Sequence, residues 1–248
     1  MKSADSENLA IIYEDNHLLA VDKPAGMPSQ PDDSGDPSLD ELAKEWLRVT
    51  YNKQGNVYLG LLHRLDRPTS GIVLLARTDK AASRMAEKFR RREIGKTYFA
   101  VVETAAPLAG AGDAEDMLEP NRSGGMRVAR GGGNEKARRA SLSWRVLARA
   151  ENGRALLEIA LHTGVKHQIR CQLAWRGCPI VGDFRYGPRG APARPESVAE
   201  GCGILLHAGK VSFVHPVRGE RIELAAPPPG FWQTYLRTFP SEFMKDMR

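Results

Sequence analysis

The 248-residue sequence is poor in cysteine: Cys171, Cys178 and Cys202 are all it has, and they form no C-x-x-C pair. That excludes a disulfide framework and a zinc ribbon, and it suits a reducing compartment, so a cytoplasmic protein is expected. No run approaches the ~18 consecutive apolar residues of a membrane-spanning helix. Met1 to Glu7 carry acids instead of an apolar core, so no secretion signal is read there. Acids are also in deficit, with 36 Lys and Arg against 30 Asp and Glu and a net charge of +6. A basic balance of this kind suits a polyanionic partner such as nucleic acid. Metal ligands are sparse as well. His162 and His167 stand five apart, the wrong spacing for one helical face, and no further ligands gather near them, so no metal is expected.

What is present reads as short strands interleaved with helices. Leu9–Tyr13 and Leu18–Val21 form a hairpin, which the rigid turn Asp22-Lys23-Pro24-Ala25-Gly26-Met27-Pro28 then stops. Ser38 and Glu41 have the spacing of a capping box for a helix whose Leu39, Leu42, Ala43, Trp46 and Leu47 face the core. The apolar strand Ile72–Ala76 leads to a helix capped by Asp79, with Ala82, Met85, Ala86 and Phe89 as its stripe and Lys80, Arg84, Lys88, Arg91 and Arg92 elsewhere. Gly95–Val102 is a strand that sets Tyr98 on the face opposite Thr97 and Phe99. Residues 105–135 lose periodicity, gain glycine and carry Arg122, Arg127 and Arg130, which predicts a mobile basic loop. Asn152-Gly153 marks a hairpin between Ser141–Arg149 and Arg154–His162. Strands at 204–208, 211–216 and 220–224 and a helix burying Trp232, Tyr235, Leu236 and Phe239 close the chain at Pro240. The expected organisation is one catalytic domain over 9–240, a disordered 1–8 and a tail over 241–248.

Two stretches carry the chemistry. The first is His63-Arg64-Leu65-Asp66-Arg67-Pro68-Thr69-Ser70-Gly71, running into the 72–76 strand. A carboxylate between two arginines at a strand entrance stays ionised and oriented, which makes Asp66 a nucleophile candidate. Taken alone, the same residues equally describe a surface ion-pair cluster followed by turn chemistry. The second is His162-Thr163-Gly164-Val165-Lys166-His167-Gln168-Ile169-Arg170-Cys171-Gln172-Leu173, a turn entering a helix that ends at Gly177. Lys166 and Arg170 are spaced as neighbours on a helix surface, and polar residues crowded at a helix start suggest a site.

Together with Asp22-Lys23-Pro24-Ala25-Gly26, Lys96-Thr97-Tyr98 and Gly177-Cys178-Pro179-Ile180-Val181-Gly182-Asp183, these stretches resemble, in order, the motifs of the RluA-type family of RNA pseudouridine synthases. The resemblance spans roughly residues 9 to 228 and leaves no room for a leading S4 domain. It implies an α+β pseudouridine synthase fold, a bent and largely antiparallel mixed sheet with flanking helices and a central cleft. It also implies isomerisation of uridine in structured ribosomal or transfer RNA by a monomer without cofactor. On this resemblance Asp66 is the nucleophile, Arg170 orients it, Tyr98 faces the base and Arg64 fills the gap left by the flipped nucleotide. His63, Thr69, Ser70, Gly71, Lys166, His167 and Gln168 form the substrate-binding surroundings, and Leu205 or Leu206 packs beside the site. Val165 and Gln172 depart from the family's usual arginine and histidine, and Lys166 is expected to supply the missing charge. Two readings outside this one are an RNA-binding protein that has lost turnover, and a metal-dependent hydrolase using His63 and Asp66 or the 162/167 histidines.

Overall fold

In the computed structural model, residues 9–104, 108–131, 133–187, 203–240 and 247 are described. The expected disordered start, the tail apart from Met247, Cys202 and residues 105–107 and 132 of the glycine-rich stretch lie outside them. Strands β1 (Ala10–Glu14) and β2 (Leu18–Lys23) pair antiparallel. The Asp15 carboxylate closes their turn by accepting the His17 and Leu18 amides, each at 2.7 Å. Helix α1 (Leu39–Thr50) starts at the expected capping box: Ser38 Oγ accepts the Glu41 amide at 3.3 Å, and the Glu41 carboxylate accepts the Ser38 amide at 3.0 Å. The short β3 (Gly60–Leu61) leads to β4 (Ser70–Ala76), all of whose residues are buried. Such a strand needs cover on both faces, which is why it reads as a continuous apolar run.

Helix α2 (Asp79–Arg90) is capped by Thr78, whose hydroxyl accepts the Ala81 amide. Asp79, expected to be the cap, instead opens the first turn, where its charge faces the helix N-terminus. Strand β5 (Gly95–Glu103) follows. The stretch expected to be a mobile loop folds instead into β6 (Ala111–Pro120) and β7 (Met126–Val128), a hairpin that β6 joins to β8 (Arg138–Arg149). Its strand character is hidden because few of its apolar side chains, Ala114, Leu118 and Met126, are buried. Acids are interspersed along β6 and pair with arginines: Glu115 with Arg139 at 2.8 Å, Asp116 with Arg176 at 2.8 Å and Glu119 with Arg127 at 2.6 Å.

Strand β9 (Arg154–Leu161) returns across Gly153, whose φ of +77° suits the Asn-Gly turn. Helix α3 (Gln168–Trp175) follows. The two apolar segments expected near 204–216 are one strand, β10 (Leu206–Val214), with an irregularity at Gly209 that breaks the alternation. Strand β11 (Arg221–Ala225), a 3₁₀ turn (Gly230–Trp232) and the short α4 (Gln233–Leu236) complete the described elements. Trp232, Tyr235, Leu236 and Phe239 are buried as expected. No helix among the described residues is long and apolar enough to cross a membrane.

The described strands form one 11-stranded sheet in the order β1-β2-β4-β10-β5-β9-β8-β6-β7, with β11 beside β10 and β3 beside β4. Its pairing is antiparallel except between β10 and β4. That parallel seam is tight. Gly71 has φ +116°, and a Cβ there would overlap the Ala208 carbonyl. Gly71→Ala therefore combines a strained backbone with a backbone clash, and a loss of at least about 3 kcal/mol is expected. Urea denaturation followed by circular dichroism would check it.

Candidate active site

The seam brings together segments far apart in sequence. The His63–Thr69 loop lies on the Asp22–Ser29 turn and is fastened there from below. Ser29 Oγ donates to the Leu65 carbonyl at 2.9 Å and accepts the Leu65 amide at 3.1 Å, while the Gly26 amide reaches the Arg67 carbonyl at 2.8 Å. Lys23, wholly buried, donates from Nζ to the carbonyls of Pro24, Met27 and Arg67 at 2.9, 2.8 and 3.2 Å. Burial pushes its ammonium down to about 7, against the pull of the Asp66 charge.

Asp66 projects from this fastened loop. Its Oδ2 accepts from Arg170 Nη1 at 2.9 Å, and its side chain keeps 23% of its surface exposed. Arg170, near the start of α3, grips a second carboxylate with its other edge: Nε and Nη2 donate to Asp183 Oδ2 and Oδ1 at 2.7 and 3.0 Å. Asp183 is 1% exposed, and its Oδ1 also accepts the Arg185 and Tyr186 amides at 3.1 and 3.2 Å. The Tyr186 ring lies 5.2 Å from the guanidinium carbon. A planar fork fixed between two carboxylates and stacked on an aromatic ring has little freedom left. The buried end is thus saturated, and one oxygen of Asp66 remains for chemistry. Tyr98 on β5 is nearby and buried; burial first, and then the Asp66 charge, push its phenol up.

The arginines flanking Asp66 do not play the part expected of them. Arg67 turns to Asp36 and Asp32, and Arg64 is exposed without a partner among the described residues. Arg170 supplies the counter-charge instead.

Several residues expected around the substrate use their polar atoms inside the fold. His63 Nε2 accepts the Leu74 amide at 3.0 Å and its ring packs on Phe89. Ser70 Oγ lies 2.9 Å from His207 Nδ1, and His207 Nε2 lies 3.0 Å from the Ala226 carbonyl. Gln168 accepts from Thr163 Oγ1 and the Val165 amide and donates to the Ser141 carbonyl. Lys166 precedes α3 and is not on it, so it is no surface neighbour of Arg170; its Nζ reaches the Gly124 carbonyl at 3.0 Å. Thr69 is buried and its amide donates to the Asp66 carbonyl at 2.9 Å, while Gly71 permits the seam. Leu205 and Leu206 are buried in the same core cluster as Leu65 and Tyr98. His167 stands apart from these, with its Nε2 3.9 Å from Asp66 Oδ1.

A family model described as RNA pseudouridylate synthase matches residues 17–175. The chain belongs to this family. It is 37% identical over 229 residues to ribosomal large subunit pseudouridine synthase D of Xanthomonas campestris, covering 89% of this chain and 66% of that protein. It is 30% identical over 241 residues to tRNA pseudouridine synthase C of Vibrio parahaemolyticus, covering 93% and 95% of the two. A solved structure of human RNA pseudouridylate synthase domain containing 4 superposes with a TM-score of 0.77 at 25% identity, covering 96% of both chains. Pseudouridine synthases are isomerases of uridine in RNA, and their α+β fold is the one described above.

Within this synthase frame the two departures have structural occupations. Val165 packs against the small cluster of Leu118, Met126, Ala140 and Cys171. Gln172, fully buried, donates to Asp116 at 2.7 Å and to the Ala140 carbonyl at 3.2 Å, tying α3 to β6 and β8. Three residues of the site were not anticipated as such: Lys23, Asp183 and Tyr186. A lysine closing an apolar strand, and an aspartate straight after Ile180-Val181-Gly182, are the signals that could have revealed two of them.

The histidines whose rings are engaged inside the fold carry a pH signature. Burial pushes His63 down to about 3 and His207 down to about 4. An unfolded chain, with ordinary histidines near ~6.5, binds more protons than the folded one below that pH. Stability is therefore intact above pH ~6.5 and is lost as pH falls toward ~4, by up to about 1.4 kcal/mol per pH unit for each group. Urea midpoints at pH 7.5 and 5 should show this, with a smaller difference for His207→Gln.

Proposed function

We propose that this chain converts specific uridines to pseudouridine in a structured stem-loop of ribosomal or transfer RNA, as a cytoplasmic monomer that needs no cofactor. The observation that carries this reading is Asp66, held by Arg170 at one oxygen, with part of its surface open beside the buried Tyr98.

The reaction breaks the bond between N1 of uracil and C1′ of ribose, turns the base, joins C5 to C1′ and releases the C5 proton, while N1 takes one up. A carboxylate close to C1′ and C2′ suffices to start it, either by adding to C1′ as in retaining glycosidases or by taking the C2′ proton to leave a glycal. Arg170 keeps that carboxylate oriented. Tyr98 offers an aromatic wall for the detached base, which must not leave during rotation. A uridine in a stem-loop has to be extruded to reach Asp66, and the exposed Arg64 suits the role of filling the vacated space.

The test is release of tritium from C5-labelled uridine in ribosomal and transfer RNA transcripts, without added metal. Release from one RNA class and not the other identifies the substrate. Binding without release, on intact and correctly folded RNAs, would replace this reading with that of an RNA-binding protein.

A further inference from the structure

We infer that His167 recognises the ribose 2′-hydroxyl of the extruded uridine, which bridges it to Asp66, so that this side chain selects ribose over deoxyribose at the target position. The inference rests on the isomerase reading of the site.

His167 occupies the N-cap of α3 with a left-handed backbone, φ 53° and ψ 23°, and its side chain makes no capping hydrogen bond. A non-glycine residue in that region is uncommon and costly, and it persists only where the surroundings enforce it. Here the enforcement is visible. The ring stands edge-on to Tyr186, with Nδ1 2.8 Å from the phenol oxygen, and that oxygen accepts the Met126 amide at 2.8 Å. With one lone pair taken by the Met126 amide, we assign the phenol's proton to Nδ1, the tautomer that leaves Nε2–H facing Asp66. A neutral imidazole then carries its own proton on Nε2. Burial, set against the Asp66 charge, pushes His167 down to about 4, so the neutral form is the one present near neutral pH.

That Nε2–H has no hydrogen-bond acceptor among the described residues. The facing oxygen, Asp66 Oδ1, is 3.9 Å away, too far for a direct bond. With both side chains partly exposed, the separation suits a hydroxyl oxygen about 2.8 Å from each, an ordinary hydrogen-bond distance. Such a group must accept from the imidazole and donate to the carboxylate. The base carbonyls of uridine cannot donate, and in an internal nucleotide the 3′ and 5′ oxygens are esterified. The 2′-hydroxyl is the one ribose group left that does both. It also lies on the carbon adjacent to C1′, within reach of any carboxylate that acts at C1′ or C2′. The same group is what distinguishes RNA from DNA at a single position.

The experiment uses one stem-loop RNA that the wild-type protein modifies, in an all-ribose form and in a form with 2′-deoxyuridine at the target alone. The half-saturating concentration of the first in single-turnover reactions is compared with the inhibition constant of the second. For the wild type the ribose form should be favoured about tenfold, the equivalent of one hydrogen bond to an ionised site. His167→Gly removes the ring at a backbone position glycine adopts freely, and it should cut the preference at least about threefold, the remainder resting on the bond to Asp66. His167→Asn also tolerates a left-handed backbone and retains a donor, so it should restore part of the preference. An unchanged preference in His167→Gly, with modification of the all-ribose RNA persisting, overturns the inference and leaves the isomerase reading intact. A wild type that modifies no RNA overturns both.

Discussion

Asp66→Asn should lower pseudouridine formation by about 10⁴-fold, the scale seen when one member of a catalytic unit is deleted. Asparagine keeps the shape of aspartate and an oxygen for Arg170 Nη1, so the loop fastened by Ser29 and Lys23 has no reason to move. RNA affinity should therefore change little. What disappears is the negative charge and the lone pair that would add to C1′ or remove a proton. Single-turnover tritium release, run beside a filter-binding titration, separates the two effects. A variant that binds normally but retains more than a tenth of the rate would remove Asp66 from the chemistry.

Arg170→Met is expected to be the most destabilising single change at the site. It would leave Asp183, 1% exposed, with a buried charge and two backbone amides as its remaining partners. Breaking a buried ion pair from one side typically costs about 3–5 kcal/mol, because the surviving charge has lost both water and its partner. The double variant Arg170→Met with Asp183→Asn should recover a good part of that loss and none of the activity, since Asp66 would still lack its orienting guanidinium. Urea denaturation of the wild type, both single variants and the double variant gives the coupling energy directly. If the double variant is no more stable than Arg170→Met, the Arg170–Asp183 pair is not the source of the loss.

The sheet order was not legible in advance, but many of its parts were. The hairpin at Asn152-Gly153, the capping box of α1 and the buried run of β4 all rest on local rules with a known period or turn type. The β6–β7 hairpin escaped because its strands are held by cross-strand ion pairs and carry few apolar residues, so composition resembled a loop. Within the site, Asp66 stood out as a carboxylate at a strand entrance and took its role, like Tyr98 and Arg170, from the family resemblance; the structure brings the three together. The partners that hold them did not stand out. The flanking arginines looked like the counter-charge to Asp66 because they are adjacent in sequence, whereas Arg170 is 104 residues away. Local charge patterns reveal i to i+4 partners, and nothing in them reports a pairing made by tertiary structure. The same holds for His63, Ser70 and Gln168. A polar residue beside a catalytic one looks available until the backbone groups it serves are known.

The position of β10 also has a bearing on how the protein comes to be folded. It stands between β4 and β5, yet it is the tenth of the eleven described strands in the chain. While the chain emerges from the ribosome, β1 to β4 can assemble early, but the Ser70–Gly71 end of β4 and the Gly95–Ala100 edge of β5 have no neighbour until residues 206–214 arrive. Pairings of such high sequence separation form slowly, and open strand edges invite association with other nascent chains. Expression at low temperature or with chaperone help should therefore raise the soluble yield more than any change at the surface of the finished molecule.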